Sequence, residues 1–300
     1  MILSRGRLSP AEMFPAGDAR FRTSYIPTQT GLRLRVVECG DPRAAETVVC
    51  LHGWICSVYT YRAVMLLLAE AGRRVIAIDL PGHGLSDKPK EHAYYTVDAM
   101  AGCLVDVLDA LGITEATYVG HSMGGAIAAR IARQHPERVK ALVLCAPVGF
   151  GRILSLNVAV MLTPRVLLPV LPYLTMRWIV PTVFRWVYGT LRTPTPRDYD
   201  EYWAPTQFPG FVRAVRLLLQ TFDWQIGEHG GLDGITRPAT IMYGGRDELI
   251  VGRAAQRYTQ IILNTRLVGI PESGHVVPEE APEQVVAAVL DVGTRVSYER

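Results

Sequence analysis

Ser122 lies in a pattern that can generate a nucleophile. The run Gly120-His121-Ser122-Met123-Gly124-Gly125 places a glycine two residues before and two residues after the serine. An apolar run precedes it and a helical pattern follows it, so the serine is expected at a tight turn between a strand and a helix. Such a nucleophile elbow exposes the hydroxyl, and the free N–H groups and dipole of the helix face developing negative charge. We therefore predict that Ser122 is a nucleophile rather than an incidental serine in a glycine-rich turn.

A serine hydroxyl is a weak nucleophile near neutral pH, so it needs a base within hydrogen-bond reach and an acid that orients the base. His275 lies in a glycine-containing loop between the last predicted strand and the last predicted helix, and we predict that it is the base. Asp247 directly follows a predicted buried strand and precedes His275 in the chain. We predict that Asp247 is the acid, with Glu248 as its nearest rival.

The remaining histidines are expected to have structural or no special roles. His121 adjoins the nucleophile but should point away from Ser122 and pack beside the pocket, and His52 should hold the shape of its loop. The other four are expected to be solvated loop histidines, namely His83, His92, His135 and His229.

A tetrahedral intermediate needs two convergent N–H donors for its oxyanion, and losing one such donor costs about 3–4 kcal/mol. Met123 begins the predicted helix, so its backbone N–H is one predicted donor. The turn His52-Gly53-Trp54 follows a predicted strand, and the N–H of Trp54 is the predicted second donor. The segment 79–87 is dense in turn-forming residues and is expected to be structural, although Asp79 or Ser86 could contact a substrate.

The elements that must position these residues follow an alternating pattern. From Leu32 onward, short β-branched runs alternate with helical patterns, which indicates a parallel sheet covered by helices on both faces. Strands are predicted over 32–38, 47–51, 75–79, 116–120, 141–145, 239–243 and 266–270. Helices are predicted over 59–70, 97–111, 123–135, 251–262 and 282–292, the last begun by Pro282.

Between residues 148 and 235 this alternation stops, and prolines and aromatic residues interrupt short helical pieces. An insert between two strands of a doubly wound sheet would lie over the carboxyl ends of the strands, where ligands bind. We therefore predict a helical cap over 148–235, inserted into a core formed by 1–147 and 236–300.

Composition favours a single large core and a small-molecule partner. The 300 residues are 49% hydrophobic and 20% charged, and the net charge of +3 is spread along the chain. This distribution gives no electrostatic footprint for nucleic acid. The five cysteines form no CxxC pair and are expected to be structural, reduced thiols, and no metal or cofactor is predicted.

The start of the chain lacks the apolar region and cleavage site of a signal peptide, which favours the cytoplasm. The most lipophilic stretch, 153–187, is interrupted by prolines and arginines and is not expected to span a membrane. Contact between the cap and a lipid interface stays open, as does the oligomeric state.

Taken in order, five motifs resemble the α/β-hydrolase superfamily over residues 22–292, namely His52-Gly53-Trp54, the segment 79–86, the segment 120–125, Gly245-Arg246-Asp247 and Gly274-His275. The resemblance implies an α/β-hydrolase fold, with a mostly parallel eight-stranded sheet flanked by helices and an inserted cap. It also implies hydrolysis through an acyl-enzyme without a cofactor. Members that cleave haloalkanes or epoxides carry aspartate at the position of Ser122, so the serine argues against both. The single glycine after His52 departs from the HGGG loop of many lipases and esterases.

The favoured function is hydrolysis of a carboxylic ester of a small, largely apolar substrate. The same triad also serves hydrolases that cleave C–C bonds of meta-cleavage products, cofactor-free perhydrolases and lactonases, and fold does not decide among them. A C–C hydrolase would need charge from Arg177, Arg185 or Arg192, and only if these face inward. A ligand sensor without turnover is disfavoured by the intact triad.

Overall fold

The computed structural model describes residues 8–151, 177–249 and 252–298. Within them, eight strands form one sheet in the order β1-β2-β4-β3-β5-β6-β7-β8. Strand β2 is antiparallel to β1 and β4, and all other neighbours are parallel. The predicted fold class is therefore confirmed. The strands are β1 Phe21–Pro27, β2 Arg33–Cys39, β3 Thr47–Leu51, β4 Arg74–Ile78, β5 Ala116–His121, β6 Val139–Cys145, β7 Ala239–Gly244 and β8 Thr265–Ile270.

Helices cover both faces of the sheet, and alternate residues of each central strand face opposite layers. In β3, Val49 and Leu51 belong to the cluster under the helices over 97–110 and 123–134, whereas Val48 and Cys50 belong to the cluster under the helices over 62–70 and 282–298. The helices of the described residues are α1 Arg62–Glu70, α2 Val97–Ala110, α3 Met123–Gln134, α4 Ile179–Val187, α5 Pro196–Trp203, α6 Phe211–Thr221, α7 Gly252–Ile261, α8 Val277–Glu280 and α9 Pro282–Tyr298.

Most predicted elements lie within one or two residues of the observed ones, and the differences have local causes. The helix after Thr96 begins as expected, because the Thr96 hydroxyl accepts a hydrogen bond from the Ala99 N–H at 3.1 Å. The helix predicted over 59–70 starts with a 3-10 turn before α1. Strand β1 was not predicted, because it is an edge strand whose residues are mostly exposed and polar.

The predicted cap region lies between β6 and β7 and contains α4, α5 and α6. Residues 152–176, which include most of the lipophilic stretch, lie outside the described residues, as do residues 1–7, 250–251 and 299–300. No helix of the described segments is long and apolar enough to cross a membrane. The division into a core and a cap, with its boundaries, stays a prediction.

A buried ion pair anchors two loops at the carboxyl edge of the sheet. Arg35 on β2 and Asp79 after β4 are joined at 3.2 Å, with side chains 3% and 0% exposed. Asp79 also accepts hydrogen bonds from the backbone N–H groups of Val58 at 2.8 Å and Leu85 at 2.9 Å. Burial alone would raise the pKa of Asp79, but Arg35 and these two N–H groups hold it below its ordinary value. Asp79 is thus a structural anchor, as the density of turn residues predicts.

Replacing Asp79 with alanine is expected to destabilise the fold by about 3–5 kcal/mol, because Arg35 would be left buried without its partner. Urea unfolding at neutral pH measures this loss. Because the pKa of Asp79 is lowered in the folded chain, its contribution is complete above the ordinary pKa of aspartate. It is lost as the pH falls through the folded-state pKa, so the advantage of the wild type over Asp79→Ala should shrink in acid.

The matched control is Asp41→Ala, which removes a pair between Asp41 and Arg43 whose side chains are 58% and 91% exposed. This change should cost at most about 1 kcal/mol. Equal losses in the two variants would show that Asp79 does not anchor the fold.

Candidate active site

A cavity of about 210 Å³ opens at the carboxyl edge of the sheet, between the core and the predicted cap. Ser122 and His275 both line it, and no Asp, Glu, Lys or Arg is among the described residues that do so. Its remaining walls are mostly apolar and aromatic, and they comprise Trp54, Ile55, Cys56, His121, Val148, Val183, Phe184, Trp186, Val187, Tyr188, Tyr202, Trp224, Leu249 and Val276.

Ser122 lies at the turn from β5 to α3, where the sequence predicts an elbow. Its φ is +52° and its ψ is −116°, a region that a residue with a side chain rarely adopts. The turn is tight because α3 begins against β3, so that a Cβ on Gly124 would lie 2.1 Å from the Leu51 carbonyl oxygen. A Cβ on Gly120 would lie 2.6 Å from the Gly124 carbonyl oxygen. Gly120 and Gly124 are therefore both required, because a side chain at either position would collide with neighbouring backbone atoms.

His275 and Asp247, the predicted base and acid, are joined by a hydrogen bond. His275 Nδ1 and Asp247 Oδ2 are 2.8 Å apart, with the side chains 10% and 0% exposed. A carboxylate accepts, so Nδ1 carries the proton and Nε2 has the free lone pair that a base requires. Glu248, the rival acid, is exposed. Asp247 follows β7 and His275 follows β8, and these strands are neighbours in the sheet.

Ser122 and His275 share the cavity wall, but no hydrogen bond of 3.5 Å or less joins the Ser122 hydroxyl to the His275 ring among the described residues. Catalytic contacts of this kind are often long without substrate and tighten in the substrate complex. The arrangement therefore places the predicted nucleophile and the predicted base in one cavity.

The two predicted oxyanion donors lie on adjacent strands. Met123 begins α3 after β5, and Trp54 follows β3, which pairs with β5. Among the described residues, neither backbone N–H donates to a protein acceptor. The loop after β3 also holds Ile55 at a φ of +64°, a strained value for a β-branched residue. No local sequence pattern indicates that strain.

His52 fixes the shape of this loop, as predicted. Its Nδ1 donates to the Gly53 carbonyl oxygen at 2.8 Å, and its Nε2 accepts from the Leu80 N–H at 3.0 Å. These partners determine the tautomer. Burial lowers the pKa of His52, so the ring stays neutral.

His121 packs beside the cavity, as expected, and makes a contact that the sequence does not indicate. Its Nε2 donates to the backbone carbonyl of His275 at 2.9 Å, and the two ring centroids are 4.9 Å apart. Burial, followed by the neighbouring His275, lowers the pKa of His121 well below its ordinary value. The His121 ring is therefore neutral.

The prediction of a solvated His83 is wrong. His83 is fully buried, its Nδ1 lies 3.1 Å from the Pro81 carbonyl oxygen, and its ring packs 5.1 Å from that of His52. The glycines around it turn the loop inward, and turn composition alone does not show on which side of a loop a ring lies. His135 and His229 are solvent-accessible, as expected, with side chains 42% and 63% exposed. Neither Asp79 nor Ser86 is among the described residues that line the cavity.

A buried ionic cluster lies behind two tyrosines of the cavity wall. Glu279 accepts from the hydroxyls of Tyr188, at 2.8 Å, and Tyr202, and it pairs with Arg62 at 2.6 Å. Arg192 pairs with Glu279 at 3.3 Å and with Asp198 at 2.9 Å, and Arg62 pairs with Asp198 at 2.7 Å. The sequence did not predict this cluster, because two adjacent glutamates just before a predicted helix normally indicate a solvated surface.

The three arginines considered for substrate recognition are engaged elsewhere or exposed. Arg192 belongs to the ionic cluster, Arg177 pairs with Asp200 at 2.5 Å, and Arg185 is exposed. None of them is among the described residues that line the cavity.

The five cysteines are buried free thiols. Cys56 lines the cavity, and burial raises its pKa to about 12, so it remains protonated near neutral pH. Among the described residues, no group of three or more histidine, cysteine, aspartate or glutamate side chains could hold a metal ion.

Comparisons with known proteins add information at the level of the family. The family described as the alpha/beta hydrolase fold matches residues 46–282. The uncharacterized hydrolase YugF of Bacillus subtilis is 27% identical over 254 residues, which are 82% of this chain and 89% of that protein. Bifunctional epoxide hydrolase 2 of Rattus norvegicus is 38% identical over 119 residues, but this match covers 39% of this chain and 21% of that protein.

Among solved structures, a meta-cleavage product hydrolase from Pseudomonas fluorescens has a similar fold. Its TM-score is 0.76 at 20% identity, and the superposition covers 91% of this chain and 97% of that chain. At this level of identity the similarity concerns the fold alone.

Replacing Gly124 with alanine is expected to destabilise the fold by about 1–3 kcal/mol or more, because the new methyl group would meet the backbone oxygens of Leu51 and His52. Thermal or urea unfolding measures the loss. Gly102→Ala is the matched control, since Gly102 is exposed on α2 and a Cβ there meets nothing within 4 Å. The control should gain up to about 1 kcal/mol from helix propensity. If the two variants are equally stable, the close approach at the elbow does not exist in solution.

Proposed function

The chain belongs to the α/β-hydrolase family, and from that premise we propose that it is a serine hydrolase that cleaves a carboxylic ester of a small, largely apolar substrate through an acyl-enzyme. One observation carries the proposal. Ser122 stands at a strained elbow in an apolar cavity that it shares with His275, whose ring is oriented by Asp247. These are the parts that acyl transfer to a serine requires.

In the proposed mechanism, the Ser122 hydroxyl attacks the ester carbonyl carbon while His275 Nε2 takes its proton. Asp247 stays ionised, holds the ring through Nδ1 and stabilises the imidazolium. The oxyanion accepts hydrogen bonds from the N–H groups of Met123 and Trp54. When the C–O bond breaks, His275 returns the proton to the leaving alcohol. A water molecule then attacks the acyl-enzyme, with His275 again taking and returning a proton, and releases the carboxylic acid.

The charges around the cavity favour a neutral ester over a meta-cleavage product. Such a product carries a carboxylate and an enol, and burying a carboxylate without a cation or hydrogen-bond donors is costly. The described cavity wall contains no arginine or lysine, and Arg177 and Arg192 are paired elsewhere. Epoxide opening is disfavoured by the serine at the nucleophile position, although an epoxide hydrolase is among the relatives.

A fluorophosphonate probe tests the nucleophile and the base. The wild-type chain should be labelled at Ser122, and Ser122→Ala should take no label. Both Ser122→Ala and His275→Ala should lose at least about 10⁴-fold in kcat on p-nitrophenyl butyrate, while their thermal midpoints remain close to that of the wild type.

His135→Ala is the matched control for His275→Ala, because the His135 side chain is 42% exposed and does not line the cavity. It should keep full activity. Undiminished labelling of Ser122→Ala, or the absence of any labelling of the wild type, would exclude the proposed serine chemistry.

A second test concerns the substrate class. The chain should hydrolyse p-nitrophenyl butyrate, and kcat/KM should be at least about 10²-fold lower for the monoester of succinate, whose free carboxylate would be buried without a cation. Steady-state rates for the two esters at neutral pH measure the ratio. Equal or faster turnover of the anionic ester would indicate a cation in the pocket and would favour a substrate that carries a carboxylate.

A further inference from the structure

Glu280 is a buried carboxylate close to the proposed base. It ends α8, five residues after His275, and is 6% exposed. Its Oε2 accepts hydrogen bonds from the Gly274 N–H at 2.6 Å and from the Ser273 hydroxyl at 3.2 Å. Its Oε1 accepts from the Gly189 N–H at 2.8 Å. One side chain thus binds the backbone of two separate segments.

The two segments come from distant parts of the chain. Gly274 precedes His275 in the loop after β8, and Gly189 follows α4 in the insertion between β6 and β7. Their backbones approach so closely that a Cβ on Gly274 would lie 2.5 Å from the Val187 carbonyl oxygen. The same oxygen accepts a hydrogen bond from the His275 N–H at 2.7 Å. The position of the His275 backbone is therefore constrained by its contact with the insertion.

The chemistry of Glu280 suits this junction in a way that no neutral side chain does. Burial raises the pKa of Glu280, and the backbone N–H groups of Gly274 and Gly189 act against that rise. The guanidinium groups of Arg62 and Arg192 pair with the neighbouring Glu279 instead. A glutamine would avoid the buried charge, but its amide group would turn a donor toward one of the two backbone donors. A carboxylate accepts on both sides.

We propose that Glu280 is a positioning residue, which holds the His275 loop against the insertion so that the imidazole stays within reach of Ser122. This inference rests on the proposed function of Ser122 and His275. Asp247 fixes the rotation of the His275 ring through Nδ1, but it does not fix the backbone that carries the ring. Glu280 adds a constraint on that backbone, beside the hydrogen bonds that join it to Val187 and His121. A displacement of about 1 Å in such a site can cost about 10²-fold in rate.

The experiment compares Glu280→Gln with the wild type in the full chain. We expect the rate constant of fluorophosphonate labelling and kcat on p-nitrophenyl butyrate to fall together by about 10- to 100-fold. We expect KM to change by less than about twofold, because Glu280 does not line the cavity. Glu280→Asp keeps the charge but is one methylene shorter, so it reaches only one of the two segments and should show a loss in the same direction.

Glu283→Gln is the matched control. Glu283 is exposed three residues further along, in the first turn of α9, and its variant should label and turn over at the wild-type rate. If folded Glu280→Gln labels at the wild-type rate, or loses thermal stability while keeping kcat, Glu280 is merely structural and the proposal is wrong. If Glu280→Gln does not fold, the same criteria applied to Glu280→Asp decide. If the fluorophosphonate does not label the wild type, both the proposed function and this inference are wrong. If it labels the wild type and all variants at the same rate, this inference alone is wrong.

Discussion

The close approach of α3 to β3 is the constraint on which the rest of the site depends. Because Gly124 has no side chain, the first turn of α3 lies directly against the carbonyl oxygen of Leu51. This contact bends the chain so sharply at Ser122 that the φ of Ser122 becomes positive. It also brings the start of α3 beside the loop after β3, where Ile55 has a positive φ as well. Backbone strain of this kind costs on the order of 1–3 kcal/mol per residue and persists only where the surroundings enforce it. Here the surroundings are the central strands, whose residues are buried on both faces of the sheet.

Hydrogen bonds between loops hold the other residues of the site in place relative to the elbow. His52 ties the loop after β3 to the start of the loop after β4, and His121 ties the elbow to the backbone of His275. Burial lowers the pKa of both rings, so each remains neutral. His52 both donates and accepts a hydrogen bond, whereas His121 donates through Nε2. Four segments that follow different strands are thereby held in two pairs before any substrate binds. Such preorganisation is what allows backbone donors to stabilise a developing charge without rearrangement at the moment of reaction.

The sequence predicts those parts of the site whose signals are local. Ser122, Asp247 and His275 each stand directly after a predicted strand or in a loop marked by glycine, and strands with β-branched runs are recognisable from a few residues. The edge strand β1 is not recognisable in this way, because its polar, exposed residues resemble a loop. Glu279 and Glu280 illustrate a deeper reason. They are buried through contacts with residues about ninety positions away, such as the hydrogen bond from Gly189 to Glu280 over 91 residues. Whether a charge is solvated or buried depends on such partners, and no local pattern records them.

The placement of charge around the cavity is consistent with the chemistry proposed for it. Two arginines and two carboxylates, Arg62, Arg192, Asp198 and Glu279, neutralise one another behind the tyrosines of the wall, so the apolar cavity faces little net charge. In a poorly polarisable cavity, the proposed N–H donors at Trp54 and Met123 would act more strongly on an oxyanion than they would in water. In the proposed reaction, the imidazolium formed on His275 would lie against the Asp247 carboxylate. His121, packed against the same ring, stays neutral because it is buried, and therefore adds no opposing positive charge. In the proposed reaction, the negative oxyanion thus faces N–H donors and the positive imidazolium faces a carboxylate, and the fold holds both sets of groups in place before the reaction.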